Sequence, residues 1–279
     1  MTSWLKPGNT AVITGAANGI GLAAAKRFVA AGMNVMIADR DEDRLADAAA
    51  ELAAQDSGAV SSFVCDVSDY TRIEALRDAT VAEFGSVHCL MNNAGAGIPA
   101  RCPWEDLAAW KQQLDINLWG IVHGCHAFIP GMLEAGGARA VINTGSKQGI
   151  TNPPGNYAYN LSKAGVKNYT ESLAHALREH EGSEVSAHLL IPGFTYTGMI
   201  ARFLPEKPDG AWTPDQAVEF MLDSLANGDF YILCPDNETP RALDEKRILW
   251  NTGDLTENRS ALSRWDPAYQ SEFERYMTD

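Results

Sequence analysis

The sequence predicts an α/β domain built on one doubly wound parallel sheet of about seven strands flanked by helices. Three observations predict it. Short apolar runs alternate with segments of helical apolar period along most of the chain. The spacing between runs suits helical crossovers rather than hairpins. A glycine-rich turn joins the first run directly to the first helical segment. A length of 279 residues suits one large domain, residues 1–279, and is ample for a full hydrophobic core.

Residues 9–14 (NTAVIT) read as a buried strand. The turn that follows holds Gly15, Asn18, Gly19, Ile20 and Gly21, spaced G-x-x-x-G-x-G, and LAAAKRFVAAGM then has helical period. Glycines there allow a tight turn and close backbone approach, and the helix start offers free N–H groups and positive dipole to a pyrophosphate. No GK[ST] follows, which disfavours a nucleotide-triphosphate loop. Residues 34–38 form the second strand, with Asp39 at its end. An acid about 20 residues beyond the glycine loop can accept both adenosine ribose hydroxyls. It would repel a 2′-phosphate, so NAD is expected over NADP; Arg40 partly offsets that repulsion and keeps NADP possible.

The third strand, residues 60–65, ends in Asp66-Val67. Asp66 suits an adenine amino group or a helix cap, and Ser68 and Asp69 are the nearer candidate caps. The fourth, residues 87–91, runs into Asn92, Asn93, Ala94 and Gly95. Small residues there permit close approach to a ribose, and the asparagine amides can tie strand ends together. A long helix over residues 104–133 carries Asn117 among apolar neighbours, an unfavourable place for an amide. Two readings stay open: a kink exposing a carbonyl that holds a water, or an amide satisfied by nearby backbone. The fifth strand, residues 140–143, leads to Ser146. Tyr159 and Lys163 are four apart, on one face if that segment is helical. A neighbouring ammonium favours the phenolate and is expected to lower the Tyr159 pKa from about 10. The sixth strand, residues 185–191, runs into Pro192, Gly193, Phe194, Thr195, Tyr196 and Thr197, at the sheet edge where catalytic side chains gather. Residues 230–234 (FYILC) read as the seventh.

These motifs together resemble the short-chain dehydrogenase/reductase family: TGAANGIG matches TGxxxGxG, NNAG matches outright, Ser146, Tyr159 and Lys163 match S…YxxxK, and IPGFTYT matches PG-x-x-x-T. The resemblance covers residues 8–200. It implies a single Rossmann-like domain that binds NAD or NADP and transfers hydride between the nicotinamide and a secondary alcohol or ketone. It implies that Tyr159 is the general acid/base, that Ser146 orients the substrate oxygen, that Lys163 holds the nicotinamide ribose and that Asn117 supports a water in a proton relay. The expected cofactor set is Gly15, Asn18, Gly19, Ile20, Gly21, Asp39, Arg40, Asp66, Val67, Asn93, Ala94, Gly95, Tyr159, Lys163, Pro192, Gly193, Phe194, Thr195 and Thr197.

Bulk properties bound the partners. Net charge is −14, from 36 acids and 22 bases, so non-specific binding to nucleic acid or anionic membranes is not expected. No stretch reads as a signal peptide or membrane span. Five scattered cysteines without a C-x-x-C pair suggest reduced thiols in a cytoplasmic protein. No metal is expected: His123 and His126 are three apart with no third ligand nearby.

Beyond residue 200 the family pattern fades. Residues 194–212 are rich in aromatic and apolar side chains, broken by prolines, and suggest either a substrate lid (about 195–225) or a helix pair packed on the core. A lid would favour an apolar or aromatic substrate through Tyr196 and Phe203. Lys147 and Gln148, next to Ser146, would instead suit a polar or acidic substrate group. An acidic extension over about 235–279 holds two candidate helices, near 240–250 and 267–277. The altered end puts a homotetramer in doubt and leaves a homodimer through the two long central helices as the expectation. Alternative functions are a catalytically silent NAD(P)-binding regulator and an epimerase or dehydratase on the same scaffold.

Overall fold

Apolar runs without polar alternation need cover on both faces, and the central strands receive it. The computed structural model describes residues 2–99 and 102–278. Its strands are β1 (Thr10–Thr14), β2 (Asn34–Asp39), β3 (Val60–Val64), β4 (Val87–Asn92), β5 (Arg139–Thr144), β6 (Val185–Ile191) and β7 (Tyr231–Leu233). They form one sheet in the order β3-β2-β1-β4-β5-β6-β7, with every pairing parallel. At the centre Ile13 is in register with Ile37 on one side and Met91 on the other.

The helices are α1 (Gly19–Ala30), α2 (Glu42–Ala53), α3 (Tyr70–Phe84), α4 (Leu107–Leu114), α5 (Gly120–Ala135), α6 (Gln148–Thr151), α7 (Tyr157–Glu179), α8 (Gly198–Ala201), α9 (Pro214–Asn227), α10 (Arg241–Thr256) and α11 (Gln270–Thr278). Successive strand residues serve opposite faces. Val35 and Ile37 join Phe28 of α1, Leu45 of α2 and Met221 of α9. Met36 and Ala38 join Ile73 of α3, Phe128 of α5 and Val166 of α7. Burying a side chain such as Ile13 fully contributes about 1.5–3 kcal/mol. Helix starts are set by local chemistry. Asp69 caps α3 by accepting from Thr71 N at 2.9 Å, and Thr213 with Gln216 forms a reciprocal capping box on α9, with Pro214 in its first turn.

Two expectations need correction, and the two helices expected in the extension are present. The single helix over 104–133 is two helices joined by a π turn, Asp115–Trp119, with Asn117 at its middle. Of the proposed lid, residues 214–225 belong to α9, whose Val218 and Met221 are fully buried in the core. Only residues 195–212 are irregular, with the short α8 and one parallel bridge, Thr195 to Trp212. The extension is helical at α10 and α11, and builds a small core of its own on Trp250. That ring packs 5.2 Å from both Phe273 and Tyr276 and lies beneath the Arg259 guanidinium.

The strand order reverses between β1 and β4, which opens a crevice at their carboxyl ends. No helix among the described residues is long and apolar enough to cross a membrane.

Candidate active site

A cleft of about 550 Å³ runs along the carboxyl edge of the sheet. One end is built by β1 and the turn into α1. Gly15 has φ +66°, and a Cβ there would lie 2.6 Å from Ala94 Cα, a backbone atom that cannot yield. Only glycine fits. The Asn18 side chain makes no capping bond to α1, so the first N–H groups of that helix are open to a ligand. Asn93 locks the neighbouring strand ends. Its N–H donates to Thr14 Oγ1 at 3.0 Å, its amide nitrogen to the carbonyls of Thr14 and Gly15, and its Oδ1 accepts from Thr144 Oγ1. The expected tying of strand ends by asparagine amides is seen here and again between Asn92 and Asn143, at 2.9 Å.

Asp39 faces the cleft at the end of β2 and accepts from the N–H of Ala17 (3.1 Å) and of Asp41 (3.2 Å). Asp66 Oδ1 accepts from Ser68 N and Oγ, while the cap of α3 falls to Asp69. Gly15, Asn18, Gly19, Ile20, Asp39, Arg40, Asp66, Val67, Asn93, Ala94 and Gly95 all line the cleft, as do Pro192, Gly193, Phe194, Thr195 and Thr197. Gly21 does not; a Cβ there would run into the Gly15 carbonyl, so it serves close packing behind the turn. Glycines at a helix start, open N–H groups and a strand-end acid suit a dinucleotide with its pyrophosphate on α1.

The other end of the cleft gathers the polar groups. Ser146, Tyr159 and Lys163 all line it. Tyr159 and Lys163 share the first turns of α7. The Lys163 ammonium lies 5.9 Å from the centre of the Tyr159 ring and donates to the Thr144 carbonyl at 2.7 Å. Lys163 is buried, and that burial pulls its pKa down from 10.5 to about 8. Ser146 Oγ accepts from Gln148 N at 3.2 Å, which leaves its proton free for the Tyr159 phenol. The expected lowering of the Tyr159 pKa is not what the site produces. Burial pushes the phenol up, and the Ser146 hydrogen bond offsets only part of it.

Asn117 does not line the cleft. It is fully buried in the π turn, with Oδ1 accepting from Ala96 N (2.8 Å) and Nδ2 donating to Ala96 O (3.0 Å). Both open readings of this residue therefore hold in part: the helix is interrupted, and the amide is satisfied by backbone. Gln113, missed in the sequence, repeats the device by accepting from Ile98 N and donating to Ala96 O, both at 2.7 Å. A polar residue one helical turn before Asn117 was the available signal. An added Cβ at Gly95 would lie 3.5 Å from Asn117 Oδ1 and 3.8 Å from Lys163 Nζ, so the two side chains border the same small residue.

Of the four substrate candidates, Lys147 and Gln148 line the cleft, whereas Tyr196 and Phe203 do not. Tyr196 turns its hydroxyl to the carbonyls of Leu204 and Pro205, closing its own loop, and Phe203 is 67% exposed. From the irregular 195–212 segment, Met199, Ile200 and Arg202 line the cleft beside Thr195, Thr197 and Gly198. Lys147 is not a free cation: its ammonium meets Asp236 at 3.1 Å and Asp244 at 2.6 Å. Burial works against the Asp236 charge, but the Phe194 N–H and Lys147 outweigh it and hold its pKa below the usual range. For Asp244 burial prevails over Lys147 and its pKa is raised. Arg44, in the first turn of α2, also reaches the cleft and pairs with Asp41; no pattern in the sequence singled it out. Among the described residues no group of His, Cys, Asp or Glu side chains could hold a metal ion.

Comparison with known proteins agrees with this geometry. The short chain dehydrogenase family model matches residues 9–208. The 1-deoxy-11-beta-hydroxypentalenate dehydrogenase of Streptomyces exfoliatus is 33% identical over 245 residues, 86% of this chain and 88% of the relative. A short chain dehydrogenase/reductase from Burkholderia phymatum, solved in complex with NAD, superposes with a TM-score of 0.83 at 32% identity, covering 93% of this chain and 98% of that one. A metagenomic short-chain oxidoreductase in complex with NADP gives a TM-score of 0.69 at 28% identity, over 82% of this chain and 98% of that one. The chain belongs to the short-chain dehydrogenase/reductase family, and it is an oxidoreductase of the nicotinamide-dependent kind.

Proposed function

We propose that the chain interconverts a secondary alcohol and a ketone, with Tyr159 as the proton donor and acceptor, Ser146 as the hydroxyl that orients the reacting oxygen, and NAD as the preferred cofactor. The observation that carries the reading is the meeting of Ser146, Tyr159 and Lys163 at one end of a cleft whose other end is a glycine turn with a strand-end acid. When bound, the nicotinamide supplies or accepts the hydride. Gly15, Asn18, Gly19 and Ile20 would hold the pyrophosphate, Asp39 the adenosine ribose, and Asn93, Tyr159, Lys163 and Thr195 the nicotinamide half.

In ketone reduction Tyr159 gives its proton to the developing alkoxide, and in alcohol oxidation it takes the proton back. Ser146 donates to the same oxygen in either direction. The phenol, raised by burial alone, must be brought down to work near neutral pH, and the Lys163 ammonium about one helical turn away is the cation placed to do it. Asn117 holds the Ala96 backbone against the cleft from behind.

Beside the polar Gln148 and Arg202, the cleft is lined by the apolar side chains of Ala96, Met199 and Ile200. With Lys147 already paired, we read the substrate as a largely apolar alcohol. The name of the Streptomyces relative, which prints a hydroxypentalenate, is consistent with hydroxyl oxidation. A homodimer is also proposed, because Leu107, Trp119 and Leu161 expose apolar surface along α4, the π turn and α7. Light scattering that gives a monomer mass at micromolar concentration refutes it.

The test of function is direct. The protein is mixed with NAD or NADP and a panel of secondary alcohols, and reduced nicotinamide is followed by absorbance. Turnover of at least one alcohol is expected, with Tyr159→Phe losing about 10²–10⁴-fold in kcat while dinucleotide affinity stays the same. Tight dinucleotide binding with no turnover of any alcohol or ketone, or full activity in Tyr159→Phe, refutes the assignment.

A further inference from the structure

Lys147 follows Ser146 directly, and both acids that grip it come from beyond β7. Asp236 lies in the loop after that strand and Asp244 in the first turn of α10. Each carboxylate is only 6% exposed, against 17% for the lysine. Both carboxylates meet the Lys147 ammonium at salt-bridge distance, Asp236 through a hydrogen bond of 3.1 Å and Asp244 at 2.6 Å. A buried ion trio of this kind adds little net stability, because desolvation offsets the attraction; its established use is to fix one arrangement. Its role follows from what it holds.

It holds two separate walls of the cleft. Asp236 Oδ2, besides Lys147, accepts from the backbone N–H of Phe194 at 3.1 Å. Its Oδ1 accepts from the N–H groups of Glu238 (3.2 Å) and Thr239 (2.7 Å), so the carboxylate is engaged at both oxygens. Gly193 lies so close that an added Cβ would sit 2.8 Å from Asp236 Oδ2. Gly193 and Phe194 line the cleft on one side, Ser146 and Lys147 on another. α10 adds a second tie, from Asn251 Nδ2 to the Ile150 carbonyl at 3.2 Å. The C-terminal extension thus touches the segment after Ser146 at Lys147 and Ile150, and the loop after β6 at Phe194.

We propose that Lys147, Asp236 and Asp244 are positioning residues through which the C-terminal extension sets the place of Ser146 and of the Gly193–Phe194 backbone. The inference rests on the reading of Ser146 and Tyr159 as the reacting groups and of the cleft as a dinucleotide site. The two acids have different reach. Asp236 touches both walls, so its loss acts on dinucleotide binding and on turnover. Among the described residues the Asp244 carboxylate forms its salt bridge with Lys147 and makes no bond to the Phe194 loop, so its loss acts on turnover alone.

The experiment compares the full chain with Asp244→Asn, Asp236→Asn and Asp236→Ala. Binding is read without substrate from the fluorescence of NADH or NADPH, whichever the unaltered protein binds more tightly. kcat and KM are read with an alcohol that the unaltered protein turns over, and unfolding midpoints are recorded. Displacing a reacting group by about 1 Å costs up to about 10²-fold, so Asp244→Asn is expected to lose about ten- to a hundredfold in kcat, with KM and dinucleotide affinity within about twofold. Asp236→Ala is expected to weaken dinucleotide binding about tenfold or more, and Asp236→Asn, which keeps an acceptor for the Phe194 N–H, to restore binding but not kcat. Unchanged kcat in Asp244→Asn, or unchanged dinucleotide affinity in Asp236→Ala, overturns the proposal. If Asp236→Ala does not fold, the two Asn variants decide: reduced kcat in both supports it and full kcat in either overturns it. If the unaltered protein turns over no alcohol, the catalytic reading has failed, and the binding pattern of the two Asp236 variants decides this proposal by itself.

Discussion

Replacing Lys163 by methionine is expected to make the protein more stable while removing its activity. The ammonium is buried, and in the folded chain its pKa falls from 10.5 to about 8. At about 1.4 kcal/mol for each tenfold change in proton affinity, the folded state carries a penalty of about 3 kcal/mol whenever both states are protonated. Methionine fills a similar volume without charge. It also gives up the 2.7 Å charge-assisted hydrogen bond to the Thr144 carbonyl, a loss of about 2 kcal/mol. The balance favours Lys163→Met by about 1 kcal/mol at pH 7, or about 3 °C in the unfolding midpoint. The pH dependence gives the second half of the test. Between about pH 8 and 10.5 the folded lysine sheds its proton before the unfolded one, so the unfolded state binds more protons and the unaltered protein gains stability as pH rises. The advantage of the variant is therefore complete below about pH 8, shrinks as pH rises, and is reversed by about pH 10.5, where only the lost hydrogen bond remains. Urea unfolding of both proteins at several pH values, without dinucleotide, measures it. A variant less stable at pH 7, or a difference that does not shrink with rising pH, refutes the argument that burial of the ammonium dominates this position.

Two further outcomes follow from the cofactor end. Gly15→Ala places a methyl 2.6 Å from Ala94 Cα at a positive φ, so dinucleotide affinity measured by titration calorimetry should fall by more than about tenfold; an affinity equal to the unaltered protein would refute the close-approach reading. Asp39→Asn keeps an acceptor for the Ala17 N–H but removes the charge. The ratio of NAD to NADP affinity should drop by about tenfold or more, and an unchanged ratio would refute the role of Asp39 in choosing between them.

The sheet was legible because its central strands are buried on both faces and read as apolar runs between turn residues, while the edge strand β3, VSSFV, is part-exposed; β6 begins and ends where the residue pattern places it. The glycine turn, Asp39, Ser146, Tyr159 and Lys163 were legible because each sits at a strand end or helix start, where local sequence dictates position. What escaped depends on distance along the chain or on environment. Nothing near Lys147 announces that Asp236 and Asp244 will neutralise it. Tyr159 has the expected cation one turn away, yet burial, a property of the whole fold, raises the phenol, and the Ser146 hydroxyl offsets only part of that rise. Tyr196 and Phe203 have the right chemistry for a substrate wall, but loop geometry turns the first onto its own carbonyls and the second outward. The π turn at Asn117 has no signature beyond a polar residue in an apolar helix, because it needs Ala96 to complete it.

The bond between Asp236 and the Phe194 amide also sets an order in time. Synthesis runs from the amino terminus, so the glycine turn, the strand-end acid and the Ser146, Tyr159 and Lys163 side chains are all made before Asp236 emerges. A nascent chain can close most of its sheet while the Gly193–Phe194 backbone still lacks the carboxylate it rests on. Competence for chemistry thus arrives last, with a segment that lies beyond the family match ending at residue 208.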